Sequence, residues 1–180
     1  PNLEESETGF YLTDRISEKA VDFIEANKER PFFLYLAHYS VHTPIQPKPE
    51  YKSYFENRDP DRGHRNPGYA AMVRSMDESL GRVRDALRDL KLEDNTVVIF
   101  TSDNGGHGGV TSNRPLRGSK GMLYEGGIRV PFVAYWPGQF GGARIESTPI
   151  IGVDLLPTIL NLAGGKPDKK QVVDGESIIP

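Results

Sequence analysis

The sequence predicts an α/β fold, because short apolar runs of strand length alternate with stretches of helical period, and polar, glycine-rich turns follow those runs. With 180 residues, 37% apolar and 26% charged, the chain has ordinary globular usage and can form one compact domain with a real core.

From Asp14 to Glu29, apolar residues at Ile16, Ala20, Val21, Phe23 and Ile24 are spaced as on an amphipathic helix, which Pro31 terminates. Phe32 to Ala37 is a continuous apolar and aromatic run, and so reads as a strand buried on both faces of a parallel sheet. Residues 38 to 68 are rich in proline and carry no period, which predicts a long irregular excursion of the kind that is often functional. Met72, Met76, Leu80, Val83, Leu87 and Leu90 form one apolar stripe on a long helix, with Arg74, Glu78, Arg82, Asp85 and Arg88 on its solvated face. Thr96 to Thr101 is a second buried strand, Val130 to Trp136 a third, and Asp154 to Ala163 a helix closed by Gly164-Gly165.

Several function classes are excluded. The formal net charge is -3, and the basic residues are interspersed with acids, so nucleic acid is not an expected partner. No apolar run approaches the roughly 20 residues that a membrane-spanning helix needs, and the acidic start Pro1 to Glu7 does not read as a signal peptide. With no cysteine there is neither a disulfide nor a thiol nucleophile. Lacking an initial methionine, the chain reads as starting within a longer protein.

Three places offer chemistry. Asp103 and Asn104 directly follow a predicted buried strand, and carboxylate and carbonyl oxygens together suit a hard cation such as Ca²⁺ or Mg²⁺. Asp-Asn-Gly-Gly is equally what a tight turn uses. His38 and His42 lie four apart after the first strand, where an imidazole can donate a proton to a leaving group, bind an anion, or simply face solvent. Lys120 sits between glycines in Arg117-Gly118-Ser119-Lys120-Gly121, where it can meet a tetrahedral anion or water, although the nucleotide P-loop spacing is absent.

Taken in order, four segments closely resemble the later part of the type I sulfatases, members of the alkaline phosphatase superfamily. They are Phe33 to Pro44, Val98 to Gly106, Leu116 to Pro131 with its Lys-Gly-x-x-x-Glu-Gly-Gly block, and Val153 to Leu160. The resemblance implies part of an alkaline-phosphatase-like α/β sheet flanked by helices, with residues 1–180 forming a partial catalytic domain. It implies that Asp103 and Asn104 supply metal oxygens, that Lys120 contacts a sulfate oxygen, and that His42 lies beside the ester oxygen, while His38, Arg117 and Arg129 match looser positions. The family's nucleophile is a formylglycine made within a Cys/Ser-x-Pro-x-Arg motif, and no such motif occurs in these residues. The implied parent is a sulfuric ester hydrolase acting on sulfate esters, sulfated sugars among them, in a periplasmic, secreted or lysosome-like compartment. A non-catalytic module that binds sulfated glycans and a related phosphoesterase or phosphomutase are the alternative readings.

Overall fold

A computed structural model describes residues 9–61, 63–168 and 170–179; the acidic run Pro1 to Glu7 lies outside them. The order is α1 (Leu12–Asn27), α2 (Pro49–Glu56), α3 (Pro67–Asp89), a 3₁₀ turn (Glu93–Asn95), β1 (Val98–Thr101), α4 (Glu125–Ile128), β2 (Phe132–Tyr135), a second 3₁₀ turn (Gly152–Asp154) and α5 (Leu155–Leu162). The chain forms two compact units, residues 1–141 and 142–180.

In the first unit α1 packs on α3, and α3 also carries α2. Ala20, Ile24, Val83 and Leu87 form the buried core, with Phe32, Leu34, Leu36 and Val98 packed against it. The predicted stripe holds at Met72, Val83 and Leu87, which are buried. Between them the buried positions are Ser75 and Ser79 rather than Met76 and Leu80, and Gly68 and Ala71 are buried as well. Small residues let two helices approach closely, and a serine hydroxyl inside a helix interface needs a partner. Ser17 Oγ donates to the Thr13 carbonyl at 2.6 Å, Ser75 Oγ to the Ala71 carbonyl at 3.2 Å, and the Ser17 and Ser79 hydroxyls pair across the interface at 2.6 Å.

The first predicted strand is a correction. Residues 32–37 run extended but join no ladder among the described residues. Burial alternates with period two: Phe32, Leu34, Leu36 and His38 turn toward the helices, while Phe33 and Tyr35 are 64% and 81% exposed. Only one helical layer covers the segment, so only one face is buried. The ladder that does form is antiparallel where a parallel sheet was predicted, pairing Val98 with Tyr135 and Thr101 with Phe132. The excursion from 38 to 68 is not wholly irregular either. It contains α2, started by Pro49, whose fixed φ suits the first helical turn.

In the second unit the Asp154 carboxylate accepts from the backbone N–H groups of Ile151 at 2.9 Å and Glu176 at 3.0 Å. Those bonds hold its pKa below the ordinary carboxylate value. Thr158 Oγ1 donates to the Asp154 carbonyl at 2.6 Å and accepts from Ile178 N–H at 3.1 Å, so α5 and the returning segment are tied at two points.

Candidate functional site

Antiparallel pairing sets the carboxyl end of β1 beside the amino end of β2, so the turn 102–106 and the loop that precedes β2 converge. Contact between them is backbone on backbone. Gly105 N–H donates to the Gly127 carbonyl at 2.9 Å, Lys120 N–H to the Gly106 carbonyl at 3.1 Å, and Gly126 N–H to the Arg117 carbonyl at 2.7 Å. A Cβ at Gly105, Gly126 or Gly127 would stand 1.9 Å from the Gly126 oxygen, 2.2 Å from the Gly118 oxygen or 2.0 Å from the Met122 oxygen. No side chain fits at those distances. These three glycines therefore serve close approach of one loop to another.

Asn113, which the sequence did not single out, closes the arrangement. Its Oδ1 accepts from Gly106 N–H at 3.0 Å and its Nδ2 donates to the Gly106 carbonyl at 2.9 Å, copying a strand pairing with one side chain. An asparagine in a polar turn carries no periodic signal, so only the tertiary contact reveals it.

The loop that carries His42 is pinned from the other side. Ser40 Oγ lies 2.8 Å from Thr13 Oγ1 on α1, and His38 Nε2 lies 3.1 Å from Ser79 Oγ on α3. Burial lowers the pKa of His38, favouring the neutral ring, and its Nδ1 has no hydrogen-bond partner. Beyond Ser40 the chain turns: His42 N–H donates to the Tyr39 carbonyl at 2.9 Å, and Tyr39 Oη donates to the Thr43 carbonyl at 2.9 Å.

Of the four residues singled out by sequence, the structure brings two into direct contact. Lys120 Nζ lies 3.2 Å from His42 Nε2, across 78 residues of sequence. His42 Nδ1 faces the Thr43 carbonyl at 2.8 Å. A carbonyl only accepts, so Nδ1 carries a hydrogen and the neutral ring accepts the lysine's hydrogen bond at Nε2. Both side chains are exposed.

Asp103 and Asn104 stand at the end of β1 in the turn clasped to the Lys120 loop, but no hydrogen bond or ion pair joins Asp103 to His42 or Lys120 among the described residues. Ser102 Oγ is 3.0 Å from the Asn104 carbonyl and 3.4 Å from Asp103 Oδ1. Its single hydrogen favours the nearer oxygen, which leaves the carboxylate open to a cation. Among the described residues no three His, Cys, Asp or Glu side chains gather as a metal cluster. The donor set is therefore of the right chemistry for a hard cation and incomplete by itself. Arg117 stacks on the Tyr124 ring at 3.9 Å and Arg129 pairs with Glu125 at 3.3 Å, local contacts with no reach to Lys120 or His42.

Known proteins carry the same arrangement of segments. The family profile described as Sulfatase matches residues 1–165. The chain is 37% identical to a sulfatase of Formosa agariphila over 93% of its own length and 33% of that protein's. It is 36% identical to the steryl-sulfatase of Mus musculus over 94% of its length and 27% of the relative, and 36% identical to the N-acetylgalactosamine-6-sulfatase of Canis lupus familiaris over 99% and 34%. The chain thus spans about a third of the curated relatives it matches. Among solved structures, that of Ps i-CgsB in complex with k-i-k-neocarrahexaose superposes with a TM-score of 0.88 at 38% identity, covering 98% of this chain and 39% of the other. With a family match over residues 1–165, curated relatives above 30% identity and a similar solved structure, the chain belongs to the sulfatase family.

Proposed function

We propose that the protein to which this chain belongs hydrolyses sulfate esters of glycans, and that residues 1–180 form part of its catalytic domain. The reading rests above all on the 3.2 Å contact between Lys120 Nζ and His42 Nε2. Support for a glycan comes from relatives named for N-acetylgalactosamine 6-sulfate and from a similar structure holding a neocarrahexaose.

In this reading Lys120 is the sulfate-binding cation, and its ammonium turns from His42 to a sulfate oxygen as the ester enters. His42, with Nδ1–H held by the Thr43 carbonyl, presents Nε2 to the bridging oxygen; once Lys120 has turned away Nε2 takes a proton from solvent, and the imidazolium gives that proton to the departing alcohol and returns to the neutral ring. Asp103 and Asn104 would hold a Ca²⁺ or Mg²⁺ ion together with ligands from elsewhere in the protein; such a cation neutralises charge on the sulfate. The formylglycine nucleophile lies outside these residues. A pure glycan-binding module would have no need of a proton donor placed against the anion-binding lysine.

Turnover of nitrophenyl sulfate by the parent protein tests the reading, and Lys120→Ala is expected to lower kcat/KM on the order of a hundred- to a thousandfold, as loss of a charge-stabilising donor does. A parent that turns over no sulfate ester, or a variant as active as the wild type, would reject it.

A further inference from the structure

The loop that follows Asn104 has a second side. From Gly108 to Thr111 it faces residues 63–67 across an open cleft of about 350 Å³. The two walls are held together by His64 Nδ1 at 3.1 Å from Thr111 Oγ1, and a Cβ on Gly63 would stand 3.0 Å from Ser112 Oγ. Of the polar groups in the lining, Asn66 Oδ1 is occupied by Tyr69 N–H at 3.0 Å and the Thr111 hydroxyl by His64.

Arg65 is different. It is exposed, it lines the cleft, and it has no carboxylate partner among the described residues. Arg15, Arg74, Arg82, Arg84, Arg88 and Arg129 each contact a carboxylate, and Arg30, Arg58 and Arg117 are engaged by Asn27, Tyr54 and Tyr124. Among the described residues Arg65 shares its lack of an ion pair with the exposed Arg114 and Arg144, but is the one of these three in the cleft lining. Among the described residues the cleft lining contains no acidic side chain and one full charge, a guanidinium, which stays protonated and suits carboxylate or sulfate oxygens.

The cleft also adjoins the candidate reaction centre. A Cβ on Gly108 would lie 3.0 Å from Ser119 Oγ, the residue before Lys120, so the cleft wall and the lysine share one packed loop pair. A group seated in the cleft would therefore lie against the loop that packs on the Lys120 loop.

We propose that this cleft is a subsite for a second anionic group, a sulfate or a carboxylate, of the substrate, with Arg65 as its recognition residue. The inference rests on the sulfate-ester reading above. It makes the substrate class polyanionic, so that sulfates outnumber the one being removed or a uronate lies nearby.

The experiment compares kcat/KM of the parent enzyme on three disaccharides: one with a single sulfate, one with a second sulfate, and one with a sulfate and a uronate carboxylate. Arg65→Ala is expected to lower the preference for a doubly anionic substrate over the monosulfated one by about ten- to a hundredfold, chiefly through KM, because a charge-assisted contact made in both ground and transition state is lost. Arg65→Lys keeps the charge without the planar fork and is expected to retain part of that preference. Loss with the disulfated sugar alone assigns the subsite to sulfate, and loss with the uronate alone assigns it to carboxylate. An enzyme active on all three sugars whose preferences are unchanged by Arg65→Ala would overturn the subsite alone. A parent inactive on every sulfate ester would overturn the functional reading first.

Discussion

The carbonyl of Thr43 decides which way the His42 ring faces. With Nδ1–H committed there at 2.8 Å, Nε2 is the nitrogen left to meet Lys120 and substrate. The division of labour between the two residues has a kinetic signature, since an acid matters only as much as the leaving group needs a proton. His42→Ala in the parent enzyme is expected to slow hydrolysis of a sugar or alkyl sulfate by about a hundredfold or more, and nitrophenyl sulfate much less, because a nitrophenolate departs without help. Lys120→Ala should affect both alike, since the sulfate is common to every substrate. Equal losses for His42→Ala on the two substrate types would remove the acid role and leave an anion contact or a loop support. At this scale sequence reading offered His42, Lys120, Asp103 and Asn104 as candidates because a residue type in a known block suggests its chemistry, and the structure sets His42 beside Lys120. Sequence reading could not reach Asn113 or Arg65, because what distinguishes them is tertiary: a clasp on Gly106 in one case, a place in the cleft lining in the other.

Residues 32–40 show how an element without a ladder can still position chemistry. Even-numbered side chains enter the helical layer, first as Phe32, Leu34 and Leu36 in the apolar core, then as His38 and Ser40 on hydroxyls of α3 and α1. The change from apolar to hydrogen-bonded anchors fixes the chain two residues before His42. The sequence displayed the apolar run but not its one-sided burial, because a continuous run looks the same whether one face or both are covered. It also concealed the serine seam, since serine scores as polar although its hydroxyl is satisfied within its own helix. His38 gives the anchor a pH dependence. Burial sets its folded pKa below the ordinary imidazole value of 6.5, so between the two values the unfolded chain binds a proton that the folded chain does not. Stability from this group is thus complete above 6.5 and is lost as pH falls through the folded value. His38→Gln, which can still bond Ser79 but does not titrate, should flatten the fall in unfolding free energy of the parent protein between about pH 7 and pH 5. Denaturant titrations in which both proteins lose stability in parallel would show that His38 is not the group responsible.

Several large apolar side chains of the first unit stand at its surface. Phe33, Tyr35, Leu123 and Val133 are 64%, 81%, 91% and 55% exposed, and Val133 belongs to β2, which the sequence read as buried. Strand-length apolar runs made the α/β class legible, but pairing direction was not, because antiparallel and parallel strands of this length share one composition. In the proposed reading the chemistry is partial: the chain would contribute the His42 and Lys120 pair and two metal oxygens, whereas Ca²⁺ takes about six to eight oxygen ligands and the covalent step needs a nucleophile. No cysteine and no Cys/Ser-x-Pro-x-Arg motif occurs in the 180 residues. Binding and orientation cannot substitute for the atom that attacks sulfur, so the isolated chain is expected to hydrolyse nitrophenyl sulfate no faster than buffer, with or without added Ca²⁺, while the parent does so readily. Calorimetry on the isolated chain should accordingly find Ca²⁺ binding weak or absent, since too few ligands are present to replace the ion's water. Sustained turnover by the pure 180-residue chain would contradict this division of the site and would mean that an unassigned side chain within it serves as the nucleophile.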